Sequence, residues 1–127
     1  MILLVDHKDS FTRNLEHLLA NFDQVCVKDR KKVSQTEIEK SSLIVFSPGP
    51  GKPDDYPETK ALLKSVSGKK PVLGICLGFQ LILQEEGAHV ARQAKVLHGV
   101  ETEIDFNPDS ETYREVTNPL RVGRYHS

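Results

Sequence analysis

Short, fully apolar runs alternate along the chain with stretches in which apolar residues return at the helical period. Ile2 to Asp6 reads as a buried strand. Asp9 stands where it can cap a helix whose apolar positions Phe11, Leu15, Leu18, Leu19 and Phe22 share one face. Val25, Cys26 and Val27 make a short strand, with Cys26 filling core space. Ser34 and Glu37 spell a capping box for a short helix, and Leu43 to Phe46 is another apolar strand. Pro57 suits a first helical turn, and Leu62, Leu63 and Val66 give that helix an apolar face that ends at Gly68. A strand at Val72 to Ile75 and a helical pattern running to Gly87 follow. Beyond Gly87 the pattern changes: Ala88 to Phe106 predicts consecutive strands, Asn107 to Asn118 a polar loop, and Arg121 to Ser127 a last strand. This order predicts an α/β fold with a mostly parallel sheet covered on both faces and an antiparallel portion added late.

Two loops at strand carboxyl ends carry candidate chemistry, because ligands of open α/β sheets bind there. In Gly74-Ile75-Cys76-Leu77-Gly78 a strand breaks sharply into a helix. With cysteine in place of serine this fits a nucleophile elbow, where glycines two before and two after the nucleophile let the backbone bend without collisions. The turn exposes the Cys76 sulfur at the sheet edge, and the helix N-terminus behind it favours a thiolate. So short a motif fits equally a buried cysteine in a well-packed βα unit.

The second loop is Ser47-Pro48-Gly49-Pro50-Gly51-Lys52-Pro53. It is not a phosphate loop, which would need glycine at Phe46 and a hydroxyl at Pro53, and its prolines remove donors such a loop uses. The N–H groups of Gly49 and Gly51 remain, stiffened by neighbouring prolines, so one of them can serve as a fixed oxyanion donor. An ordinary rigid turn has the same composition.

Composition narrows the class. The 127 residues suit one domain with a real core, and 17 basic against 18 acidic side chains give no sign of a nucleic-acid partner. The cluster Lys28 to Lys32 reads as a solvated turn. The opening Met1 to Asp6 is too short and lacks the basic leader of a signal peptide. The uncharged run Pro71 to Gln84 is shorter than the roughly 18 residues of a membrane helix. The 2 cysteines, Cys26 and Cys76, fit no zinc spacing, and a free thiol is easiest to keep in a reducing compartment. A cytoplasmic protein with no membrane contact is expected.

Asp6 to Leu15 (DHKDSFTRNL), Ser47 to Pro53, Gly74 to Gln80 (GICLGFQ), Leu97 to Val100 (LHGV) and Arg124 to Ser127 (RYHS) occur together in this order. In that set the chain resembles the class I glutamine amidotransferases, nearest to the glutaminase component of anthranilate synthase and of aminodeoxychorismate (para-aminobenzoate) synthase. The resemblance implies the flavodoxin-like three-layer fold of that family over residues 1–127, as a partial, C-terminally truncated domain. It implies that Cys76 is the nucleophile and that the backbone N–H groups of Leu77 and Gly49 form the oxyanion hole. Gly49, Pro50, Gly51, Gln80 and Ser127 would hold the substrate L-glutamine, with no metal and no cofactor. Gln80, four residues after Cys76 on the helix, shares its face. The implied reaction is glutamine amide hydrolysis through a Cys76 thioester, delivering ammonia to a chorismate-binding synthase subunit in a hetero-oligomer, in tryptophan or folate biosynthesis.

The sequence also departs from that pattern. The family's catalytic His and Glu lie well beyond the Tyr125-His126-Ser127 motif, outside these residues, and none of the 5 histidines stands where the family's base does. His7-Lys8 and Arg13 replace the usual Asn-Tyr and Tyr of chorismate-linked members. A non-catalytic relative that binds glutamine or a synthase as a structural or regulatory subunit is therefore a competing reading. A phospho-receiver, suggested by the Ile2 to Asp6 opening, is weaker because the third strand ends in Ser47-Pro48 where that fold needs an acceptor aspartate.

Overall fold

A computed structural model describes residues 1–125. Contacts group the chain into two compact units, Met1–Val90 and Ala91–Ser127.

The first unit is a four-stranded parallel sheet in the order β2-β1-β3-β4. Its strands are β1 (Ile2–Asp6), β2 (Val25–Asp29), β3 (Leu43–Phe46) and β4 (Val72–Gly74). Four helices connect and follow them: α1 (Thr12–Leu19), α2 (Gln35–Lys40), α3 (Pro57–Val66) and α4 (Leu77–Glu85). Because successive side chains of a strand face opposite ways, β1 and β3 feed two cores. Leu3, Val5, Ile44 and Phe46 pack with Tyr56, Leu63, Val66, Leu77 and Leu81 on the face of α3 and α4. Ile2, Leu4 and Val45 pack with Leu15 and Leu19 of α1 on the other. Truncating a fully buried member such as Phe46 to alanine costs about 3–5 kcal/mol. As expected, Cys26 packs against the first of these cores.

The helix ends follow the sequence in most places. The Ser34 hydroxyl accepts from the Glu37 N–H at 3.4 Å, and the Glu37 carboxylate accepts from the Ser34 N–H at 2.8 Å. Such a cap contributes about 1 kcal/mol. Asp9 acts one step earlier than expected: its carboxylate accepts from the Phe11 N–H at 2.8 Å, closing the turn before α1, and Phe11 takes the cap position. The α1 stripe is also narrower than the periodicity predicts. Leu15 and Leu19 are buried, whereas Phe11, Leu18 and Phe22 are exposed. No helix among the described residues is long and apolar enough to cross a membrane.

In the second unit, β5 (Val100–Ile104) and β6 (Leu120–Arg124) pair antiparallel. The run of strands expected from Ala88 reduces to β5 alone, because the apolar residues before it, such as Val90, Val96 and Leu97, show no sustained alternation. The last strand begins at Leu120, and the polar loop holds one 3-10 turn at Glu111–Tyr113.

Candidate active site

β1 lies between β2 and β3, so the chain changes direction across the sheet at the β1/β3 boundary. The loops leaving β1, β3 and β4 all emerge at the carboxyl edge, and the candidate residues of the first unit sit on the latter two.

Cys76 joins β4 to α4 with φ 55° and ψ −106°, a conformation L-residues rarely adopt. It persists because both flanking glycines are sterically required. A Cβ on Gly74 would fall 2.5 Å from the Phe79 nitrogen and onto the Gly78 carbonyl. A Cβ on Gly78 would fall 2.7 Å from the Phe46 carbonyl carbon and onto its oxygen. The elbow is therefore pressed directly against β3, and the Ile75 N–H donates to the same Phe46 carbonyl at 3.0 Å.

The half-buried Cys76 thiol does not match the thiolate expected at a helix N-terminus. Burial pushes its pKa up; the Leu77 N–H, which donates toward the sulfur, pulls the other way, and the Asp9 carboxylate adds to the rise. Desolvation outweighs the Leu77 hydrogen bond here.

Gly49 is buried against this elbow. A Cβ there would lie 2.6 Å from the Leu77 Cδ2 and 2.6 Å from the His7 Cβ, so only glycine fits between the two loops. Among the described residues, none accepts a hydrogen bond from the Gly49 N–H. Pro50 and Gly51 follow on the exposed rim, Gly51 at φ 75°. Gln80 is half-buried one turn into α4, its N–H on the Cys76 carbonyl at 3.0 Å. Cys76, Leu77 and Gly49 are thus brought into one cluster; Ser127 lies outside the described residues. Among those residues, no group of three or more His, Cys, Asp or Glu is arranged to hold a metal ion.

A polar network behind the Gly49 loop is hidden in the sequence, where His7 stands out only as a departure from the family pattern. His7 is buried, with Nδ1 3.1 Å from the Ser47 Oγ and Nε2 3.1 Å from the Thr59 Oγ1. Its own N–H donates to the Ser47 Oγ at 2.9 Å, and the Ser47 hydroxyl donates to the Pro48 carbonyl at 2.8 Å. Tyr56 stands edge-on to His7 at 5.2 Å and donates its hydroxyl to the Pro50 carbonyl at 2.6 Å. Arg30 lies over the Tyr56 ring and pairs with Glu58 at 2.7 Å. Burial first, and then the Arg30 charge, lower the His7 pKa to about 4, against opposing pulls from Ser47, Asp6 and Glu58. The available signal was a histidine directly after a buried strand, with a serine ending another; their adjacency needed the β1–β3 register.

The class-I glutamine amidotransferase family profile matches residues 3–127. The chain belongs to the class-I glutamine amidotransferases. It is 40% identical over 130 residues to aminodeoxychorismate synthase component 2 of Escherichia coli strain K12, spanning the whole chain and 69% of that protein. It is 35% identical over 128 residues to anthranilate synthase component 2 of Lactococcus lactis, spanning the whole chain and 65% of that protein. The aminodeoxychorismate/anthranilate synthase component 2 of Bacillus subtilis is 38% identical, and the match takes in 66% of it. This amidotransferase chain thus spans about two thirds of the length of such relatives. In fold it is similar to the crystal structure of a GMP synthase subunit from Thermoplasma acidophilum. The TM-score is 0.81 at 19% identity, over 98% of this chain and 63% of that one. That likeness carries the α/β architecture alone.

Proposed function

We propose that the chain carries the nucleophile and oxyanion half of a glutamine amide hydrolysis. The observation that carries this reading is Cys76 held at a left-handed φ between two glycines whose hydrogens touch backbone, with Leu77 and Gly49 packed beside it. The Cys76 sulfur attacks the carboxamide carbon of L-glutamine, and the developing oxyanion meets the N–H groups of Leu77 and Gly49. The C–N bond then breaks, ammonia leaves with the transferred proton, and water cleaves the glutamyl thioester to release glutamate and the thiol. Losing one such donor typically costs about 2.7–4 kcal/mol of transition-state stabilisation. Pro50, Gly51, Gln80 and Ser127 are proposed to hold the substrate. His7 is not the base, because both of its ring nitrogens are committed to hydroxyls. By analogy with the component 2 relatives, the ammonia passes in the cytoplasm to a chorismate-binding synthase subunit for anthranilate or aminodeoxychorismate formation.

The experiment is labelling with a chloroketone analogue of glutamine, read by peptide mass. Labelling of Cys76 with Cys26 spared is the expected result, and labelling of Cys26 alone overturns the assignment. The upward-shifted thiol favours one alternative, a chain that binds glutamine or a synthase without turnover. Its signature is labelling of Cys76 with no ammonia release when the synthase subunit is supplied.

A further inference from the structure

The hydroxyls around His7 favour one placement of its proton. The Ser47 O–H is spent on the Pro48 carbonyl, so toward His7 the Ser47 Oγ can only accept. It accepts the His7 backbone N–H on one lone pair, leaving the other for the ring. With the Ser47 O–H on the Pro48 carbonyl, Nδ1 carries the hydrogen, and Nε2, left unprotonated, accepts from the Thr59 hydroxyl. The hydrogen bonds run one way, from Thr59 through neutral His7 and Ser47 to the Pro48 carbonyl. A charged ring would have to turn the Thr59 hydroxyl round inside a buried site beside the Arg30 guanidinium, and the depressed His7 pKa agrees with that cost.

The end of this relay is the informative point. The Pro48 carbonyl and the Gly49 N–H belong to one planar peptide unit, and in the trans form they point in opposite directions. Anchoring the oxygen therefore aims the hydrogen. The Tyr56 hydroxyl does the same for the following Pro50–Gly51 peptide by holding the Pro50 carbonyl.

We propose that His7 is a positioning residue that, through Ser47, sets the orientation of the Pro48–Gly49 peptide and so aims the Gly49 N–H at the site of Cys76. The inference rests on the amidotransferase reading of that site. His7 touches no substrate. It holds Ser47 as an acceptor so that the Ser47 hydrogen stays on Pro48.

The test compares wild type with Ser47→Ala, His7→Leu and His7→Asn, measuring Cys76 alkylation by the glutamine chloroketone and by iodoacetamide. The chloroketone passes through an oxyanion adduct and needs the aimed N–H; iodoacetamide needs only an accessible thiol. Ser47→Ala and His7→Leu are expected to slow chloroketone labelling roughly tenfold, a fraction of the 10²–10³ of a lost oxyanion donor, with iodoacetamide rates within about twofold. His7→Asn keeps a donor near the Nδ1 position and is expected to stay within about threefold of wild type. Ser47→Ala, which removes one oxygen, remains informative if His7→Leu does not fold. Wild-type chloroketone rates in Ser47→Ala, or parallel losses with both reagents, overturn the proposal. The ¹⁵N signals of the His7 ring near pH 7 test the relay independently. The Nδ1–H tautomer is expected, and an Nε2–H or charged ring overturns the proposal whether or not Cys76 labels. If wild type labels at Cys26 alone while His7 is the Nδ1–H tautomer, the amidotransferase assignment fails and the relay stands.

Discussion

Gly78 of α4 sits on the carbonyl group of Phe46, so closely that a methyl group at its α-carbon would occupy the space of the β3 backbone. The same carbonyl accepts the Ile75 N–H. Two elements that supply the site are thus joined at one peptide group. Gly78→Ala is expected to destabilise the fold by about 3 kcal/mol or more, at the upper end for overpacking, because backbone on both sides cannot yield. Urea denaturation of the variant beside wild type measures it.

Cys76→Gly has the opposite sign. A non-glycine residue at φ 55° holds about 1–3 kcal/mol of strain, while glycine returns about 0.5–1 kcal/mol of that through its freer unfolded chain. The variant is expected to be about 1 kcal/mol more stable than wild type and inert to the glutamine chloroketone. A higher denaturation midpoint with no adduct is the outcome to look for.

The alkylation rate of Cys76 by iodoacetamide is expected to keep rising with pH past the point at which a free cysteine levels off. Burial holds the thiol protonated, and the Leu77 N–H offsets this only in part. A rate profile that levels below the free-thiol range would contradict the desolvation account.

Buried His7 makes stability depend on pH. Below about pH 6.5 the unfolded chain takes up a proton that the folded chain refuses until about pH 4. Stability is therefore complete above that window and falls as the pH drops through it. At about 1.4 kcal/mol per pH unit the loss is at most about 3.5 kcal/mol. His7→Asn lacks this group, so wild-type and variant denaturation curves measured between these pH values should converge or cross on acidification.

The parallel sheet and its helices were legible because fully apolar runs such as Leu43–Phe46 and caps such as Ser34/Glu37 are local signals. The elbow was legible for the same reason, since Gly74, Cys76 and Gly78 lie within one turn of chain. The His7–Ser47–Thr59 network was not, because its members are 40 and 52 residues apart and meet only through the strand register. The thiolate expectation is opposed by a quantity the sequence does not carry, the degree to which Cys76 is withdrawn from water. Strands are over-predicted from Ala88 onward because isolated apolar residues among polar ones mimic alternation.

β4 has only three residues, and β3 is its one partner among the described strands. The strand that carries the nucleophile is thus secured by a much shorter ladder than β1, which is flanked on both sides. In hydrogen-exchange terms, β4 amides such as Gly74 are expected to lose protection through local fraying while Leu4 and Val5 exchange only on global unfolding. Because the Ile75 N–H holds the Phe46 carbonyl just beyond that ladder, such fraying is expected to loosen Cys76 from its place beside the Gly49 loop, so the lifetime of the β3–β4 pairing limits how long the nucleophile stays poised.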